Sequence, residues 1–252
     1  MILTDKRQIP ALPTKKPRRL YVWLPRDYDS SDRRYPVLYM FDGHNVFYNS
    51  HATYGRSWGM KEYLERSKRP LILVAVECNH EGCRRLNEYS PWDFSAGRLG
   101  LLEGQGKLTM DWIAYELKPE IDSCFRTLPE REHTLIAGSS MGGLMALYAV
   151  TAYNEVFSRA AALSPSLNVN RKQLGELLRS RELASPTRVY LDYGGGEAAQ
   201  FPRERMPESM FGAARLLTRA GADVAARVVP DAMHCEADWE KRIPVFMDYL
   251  LG

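Results

Sequence analysis

The residues Gly138-Ser-Ser-Met-Gly142 hold Ser140 in a G-x-S-x-G frame, after the apolar run Thr134 to Ala137 and before Met141 to Val150, which is apolar nearly all round. A strand, a tight glycine turn and a buried helix in that order present a serine hydroxyl on a strained elbow, where it can act as a nucleophile. An aliphatic hydroxyl stays protonated near neutral pH, so it needs a base, and imidazole, with an unperturbed pKa of about 6.5, suits that task. Of five histidines, His44, His51, His80 and His133 precede Ser140. Elbow nucleophiles of this kind run in the chain order nucleophile, acid, histidine, which leaves His234 as the base. The acid expected to orient it is Glu197, which closes the loop Gly194-Gly-Gly196. Asp192 is the main rival, with Asp231 and Asp238 weaker because they share the loop or helix of His234 itself. A tetrahedral intermediate also needs hydrogen-bond donors aimed at its oxyanion. The expected donors are the backbone N–H groups of Met141, directly after the nucleophile, and of His44, in the loop that ends an early strand.

Two other groups of residues invite a chemical reading. Cys78-x-His80-x-x-Cys83 has the look of half a zinc site, but structural zinc takes four ligands, and the other Cys/His pair is the adjacent His234-Cys235. The sequence therefore leads us to expect no metal, and the proposed chemistry requires no organic cofactor. Trp58, Tyr89 and Trp92 fall near the expected carboxyl ends of strands, where open α/β sheets bind ligands, so they are candidates for shaping the substrate pocket.

The elements that must position these groups follow from hydrophobic patterning. Strands are expected at Arg19 to Leu24, Val37 to Phe41, Leu71 to Val76, Thr134 to Ala137, Arg159 to Leu163, Arg188 to Asp192 and Val224 to Val229. Several lack polar alternation, as strands covered on both faces should. Between them lie helical segments at Trp58 to Leu64, Leu108 to Phe125 with an interruption at Pro119, and Met141 to Val150. Apolar stripes follow at Met210 to Leu217 and at Trp239 to Leu250. This alternation predicts an α/β fold with a mostly parallel central sheet and helices on both faces. The segment Gly194 to Pro207 is the most loop-like.

With 252 residues, 45% of them hydrophobic, the chain is expected to form one domain over 1–252. A net charge of +3 excludes the strong field of a dedicated nucleic-acid binder. No signal-peptide pattern and no membrane-length apolar run is evident, and four cysteines read as reduced thiols, so a cytoplasmic location is expected. The expected partner is a small-molecule ester, with neither nucleic acid nor membrane involved; homo-oligomerisation is compatible with the sequence.

Several motifs together resemble a known family. They are Tyr35-Pro-Val-Leu-Tyr-Met-Phe-Asp-Gly-His-Asn45, Asn87-Glu-Tyr-Ser-Pro-Trp92, Gly138-Ser-Ser-Met-Gly-Gly143, the glycine loop before Glu197, and His234 followed by Trp239. Over most of its length the chain is similar to the esterase D-like α/β-hydrolases, a family related to feruloyl, acetylxylan and siderophore esterases. That resemblance implies the α/β-hydrolase fold and a serine carboxylesterase working through an acyl-enzyme on Ser140. It also places the matching serine, acid and histidine in the triad, and an oxyanion amide at the Asp-Gly-x position. Ser139 stands where S-formylglutathione hydrolases usually carry histidine, which argues against their substrate. An acyltransferase using the same triad and a non-catalytic binding protein on the same fold are the alternatives.

Overall fold

Strands β1 (Ile2–Arg7), β2 (Arg18–Trp23), β3 (Val37–Met40) and β4 (Ile72–Val76) are followed by a short hairpin of β5 (Phe94–Ser95) and β6 (Leu101–Leu102). Then come β7 (Thr134–Ser139), β8 (Arg159–Leu163), β9 (Arg188–Gly194) and β10 (Asp223–Val229). In this computed structural model, which describes residues 1–201 and 206–252, eight of the strands form one sheet in the order β1-β2-β4-β3-β7-β8-β9-β10. From β4 to β10 every neighbouring pair is parallel, whereas β1 and β2 pair antiparallel with each other and β2 with β4. The seven expected strands are all present.

β4 is buried at all five positions and β8 at four of five, which explains why their sequences show no polar alternation. β1 is the additional main-sheet strand. Its Thr4, Asp5 and Lys6 are exposed at the sheet edge, where charge blocks further pairing. Such a polar run carries no periodic signal.

The helices are α1 (Met60–Ser67), α2 (Arg84–Glu88), α3 (Gly106–Trp112), α4 (Lys118–Cys124), α5 (Met141–Ala152), α6 (Arg171–Ser180), α7 (Glu197–Gln200), α8 (Met206–Arg219) and α9 (Glu236–Leu251). Expected boundaries shift by a few residues. A π-helical turn, Ile113–Leu117, joins α3 to α4 just before Pro119. Proline supplies no N–H to the residue four back, and the wider turn absorbs the break instead of ending the helix. α9 likewise runs through Pro244.

Buried side chains fall into two clusters on opposite faces of the sheet, one including Leu144, Met145 and Leu147 of α5, the other Ile243, Phe246, Met247 and Leu250 of α9. The loop reading of 194–207 holds only in part. β9 extends to Gly194 and α7 starts at Glu197, while residues 202–205 lie outside the described residues.

Candidate active site

Five segments leave carboxyl ends of parallel strands on the same edge of the sheet. His44 follows β3, Cys78 and His80 follow β4, Ser140 follows β7, Glu197 follows β9 and His234 follows β10. In open α/β sheets this edge is where ligands bind. A cleft of ≈ 500 Å³ opens there, with Ser140, His234, His44, Phe201 and Trp239 among its lining residues.

Ser140 sits between β7 and α5 with φ 56 and ψ −122, a conformation that L residues rarely adopt. Its backbone is held on both sides, because its N–H donates to Leu163 O at 3.0 Å and its carbonyl accepts from Ser166 N–H at 3.0 Å. Gly138 lets the helix come this close. A Cβ at that position would stand 2.6 Å from the carbonyl carbon of Gly142. The Ser140 hydroxyl meets that of Ser166 at 3.3 Å; among the described residues it forms no hydrogen bond to His234. Such bonds commonly tighten only when substrate is bound.

Nδ1 of His234 lies 2.8 Å from Oε2 of Glu197. The other carboxylate oxygen accepts the Gly194 N–H at 2.7 Å and the Ser164 hydroxyl at 2.5 Å. Burial opposes the charge of Glu197, yet the hydrogen bonds from His234, Ser164 and Gly194 prevail and hold its carboxyl below the ordinary glutamate value. Gly194 permits the two loops to touch, since a Cβ there would fall 2.0 Å from Ala232 O.

Asp192 is wholly buried and engaged elsewhere. It accepts from Arg242 Nη1 at 2.8 Å and from the Tyr190 hydroxyl at 2.8 Å. Burial pushes its pKa up, against the pull of Arg242. Of the acids weighed from sequence, Glu197 is the one that the fold brings to His234. Asp238 instead accepts the Met233 N–H at 2.8 Å and pairs with Lys241. Arg242 and the Trp239 indole N–H both donate to Ser164 Oγ at 3.1 Å, so α9 supports the hydroxyl that in turn binds Glu197.

Met141 and His44 stand at the starts of α5 and of the 3-10 turn Gly43–Asn45, where backbone N–H groups lack intrahelical acceptors. The His44 ring is buried, and burial lowers its pKa to about 4, so it is neutral. Nearby, Arg85 donates to both oxygens of Asp42 at 2.7 Å, and Asp42 keeps its carboxyl ionised through that pair in spite of burial.

Trp58, Tyr89 and Trp92 are not among the cleft-lining residues, which corrects their reading as pocket walls. Trp58 is buried against Trp239 with ring centroids 5.7 Å apart, Tyr89 receives the Asp42 N–H on its hydroxyl, and Trp92 packs edge-on to Tyr148. Aromatic side chains near strand ends have turned into the core. Lining residues that the sequence did not single out include Asn45, Thr53, Asn79, Arg85, Phe201 and Glu236. No spacing pattern marks them, because they come from four separate segments, after β3, β4, β9 and β10. Cys78 and His80 gather with His44, and Cys83 stays outside that cluster.

The family described as "Putative esterase" matches residues 13–246. The chain is 30% identical over 175 residues to the Mycobacterium tuberculosis protein named "Esterase Rv1288", which covers 69% of this chain and 34% of that protein. It is 25% identical over 152 residues to protein YbbA of Bacillus subtilis, covering 59% of this chain and 57% of that one. The match thus spans less than two thirds of either relative. Among solved structures, siderophore hydrolase EstA of Aspergillus nidulans superposes with a TM-score of 0.77 at 19% identity, over 98% of this chain and 94% of that one. An IroE-like serine hydrolase of Shewanella oneidensis gives 0.75 at 20% identity, over 99% and 79%. These likenesses establish the α/β-hydrolase fold that the parallel sheet and the strained elbow already describe. With nearly its whole length matched, the chain belongs to the "Putative esterase" family.

Proposed function

We propose that the protein is a serine carboxylesterase in which Ser140 is the nucleophile, His234 the general base and Glu197 the residue that orients the imidazole. The observation that carries this reading is the 2.8 Å contact between His234 Nδ1 and Glu197 Oε2, on the sheet edge where Ser140 occupies its strained elbow. With Nδ1–H donated to the carboxylate, Nε2 is left as an acceptor for the serine proton. The reaction requires the Ser140 hydroxyl to leave Ser166 and donate to that nitrogen. Attack on an ester carbonyl forms a tetrahedral intermediate whose oxyanion takes hydrogen bonds from the Met141 and His44 amides. His234 then protonates the leaving alcohol, and water, activated by the same imidazole, hydrolyses the acyl-enzyme.

The cleft favours a compact, oxygen-rich ester. Asn45 and Asn79 are neutral lining residues whose amides are hydrogen-bonded within the protein, and the charge of Arg85 is neutralised by Asp42. The names of similar structures, a ferulic acid esterase and siderophore hydrolases, direct the choice of substrates to small phenolic and siderophore-type esters. No helix among the described residues is long and apolar enough to cross a membrane. The test is labelling with a fluorophosphonate followed by peptide mapping. Modification of Ser140 is expected; labelling elsewhere, or hydrolysis of p-nitrophenyl acetate that survives Ser140→Ala, overturns the assignment.

A further inference from the structure

His44, Cys78 and His80 come from two different loops, yet their potential ligand atoms all lie within 4.8 Å of one another. The sheet register explains the meeting. β3 and β4 pair in parallel with Met40 opposite Ala75, so chain positions three residues further on, 43 and 78, leave the sheet side by side. The sequence pattern Cys78-x-His80 thereby acquires a third ligand 34 residues upstream of Cys78.

Two features of the cluster fit a cation. Nδ1 of His44 is buried without a hydrogen-bond partner, on a residue only 4% exposed, while its Nε2 is anchored by the Thr53 hydroxyl at 3.0 Å. An orphaned buried nitrogen costs about 1–3 kcal/mol, so its retention calls for a reason. His80, which is exposed, is likewise held by one ring nitrogen, with Nε2 3.2 Å from Glu77 Oε1, which leaves Nδ1 as the candidate ligand atom. Anchoring one ring nitrogen on an oxygen while the other faces inward is how metal-binding imidazoles are commonly oriented. The two rings stand 4.2 Å apart at 87°.

We propose that His44, Cys78 and His80 form a three-ligand site for a borderline-soft divalent cation, zinc(II) in particular, and that filling it inhibits the enzyme. Tetrahedral zinc with Zn–N near 2.05 Å and Zn–S near 2.3 Å needs donors about 3.3–3.6 Å apart, so the cluster closes by at most about 1.5 Å on binding. Two neutral imidazoles and one thiolate are a common zinc donor set; the Cys78 thiol gives up its proton to solvent as the Zn–S bond forms. The fourth position goes to a water on the cleft side. His44 and His80 line that cleft, and the His44 amide is one of the proposed oxyanion donors, so the cation and its water occupy space that an ester requires. Inhibition rests on the esterase reading above, whereas binding does not.

The test titrates cobalt(II) chloride, then zinc chloride, into the full chain after chelator treatment and removal of the chelator. One equivalent of cobalt is expected to give a sulfur-to-cobalt charge-transfer band with tetrahedral visible bands, which zinc abolishes. Cys78→Ser should remove the charge-transfer band, and His80→Gln should weaken binding by at least about tenfold. In parallel, p-nitrophenyl acetate hydrolysis should fall in step with zinc occupancy, each variant being compared with its own metal-free rate. If Cys78→Ser misfolds, His80→Gln, whose side chain is partly exposed, carries the test alone. Absence of the charge-transfer band in the unaltered protein, binding unchanged in His80→Gln, or a filled site with undiminished hydrolysis overturns the proposal. If the chain hydrolyses no ester at all, the spectra still decide whether the site exists, and the inhibitory role falls with the esterase reading.

Discussion

Glu197 Oε2 and His234 Nδ1 stand 2.8 Å apart although 37 positions separate them in the chain, and the carboxylate is held independently through its other oxygen. Ser164 and the Gly194 amide bind its other oxygen, and α9 braces Ser164 through Trp239 and Arg242. A carboxylate so constrained sets both the tautomer and the direction of the ring.

Replacing Ser140 by alanine should reduce kcat for an activated ester on the order of 10⁶-fold, as in dissected triads. The melting temperature should fall by no more than a few degrees, since Ser140 Oγ contributes one hydrogen bond, to Ser166. Steady-state kinetics and calorimetry of the same preparation check both halves.

Glu197→Gln and Asp192→Asn should separate orientation from support. The first is expected to cost kcat on the order of 10⁴-fold, because an amide cannot stabilise the imidazolium in the same way. The second breaks the buried pair with Arg242 and should destabilise by about 3–5 kcal/mol while retaining more activity. The reverse pattern in paired kinetic and urea-unfolding measurements would assign the acid to Asp192.

The depressed pKa of Glu197 also fixes the sign of a pH effect. A carboxyl lowered in the folded state stabilises the fold fully above its unfolded value of about 4.3, and this contribution is lost as pH falls through the lower folded value. The stability gap between the unaltered protein and Glu197→Gln should therefore be constant from about pH 6 upward and narrow in acid. Urea midpoints across that range measure it; a gap that widens in acid contradicts the assignment.

Ser166→Ala removes a neutral hydrogen bond to the resting nucleophile, an interaction of about 0.5–1.5 kcal/mol. Activity should change by no more than about tenfold in either direction. A loss of several orders of magnitude would show that Ser166 takes part in the chemistry.

Trp58→Ala should cost about 3–5 kcal/mol through loss of packing on Trp239 and Phe246. Phe201→Ala, which trims a partly buried cleft wall set edge-on to His234, should alter KM with less effect on stability. Opposite outcomes in thermal melts and substrate saturation would restore Trp58 to the pocket.

Much of this arrangement was legible in residue order alone. Glycine spacing around Ser140, the apolar strand before it and the apolar helix after it are local signals, and they specify the elbow because the backbone conformation there depends on near neighbours. Seven strands stand where apolar, β-branched-rich runs mark them, and β4 and β8 are buried almost throughout. What tertiary structure decided lies in contacts between segments distant in sequence. Arg242, arriving on α9, and Tyr190 occupy Asp192, while Glu197 turns its Oε2 to His234. Only the pairing of β3 with β4 carries His44 to Cys78 and His80. Trp58, Tyr89 and Trp92 show the limit from the other side, since proximity to a strand end does not fix which way a side chain turns. Local patterning sets the backbone, and the choice of partner among several eligible groups depends on which of them packing brings within a few ångströms.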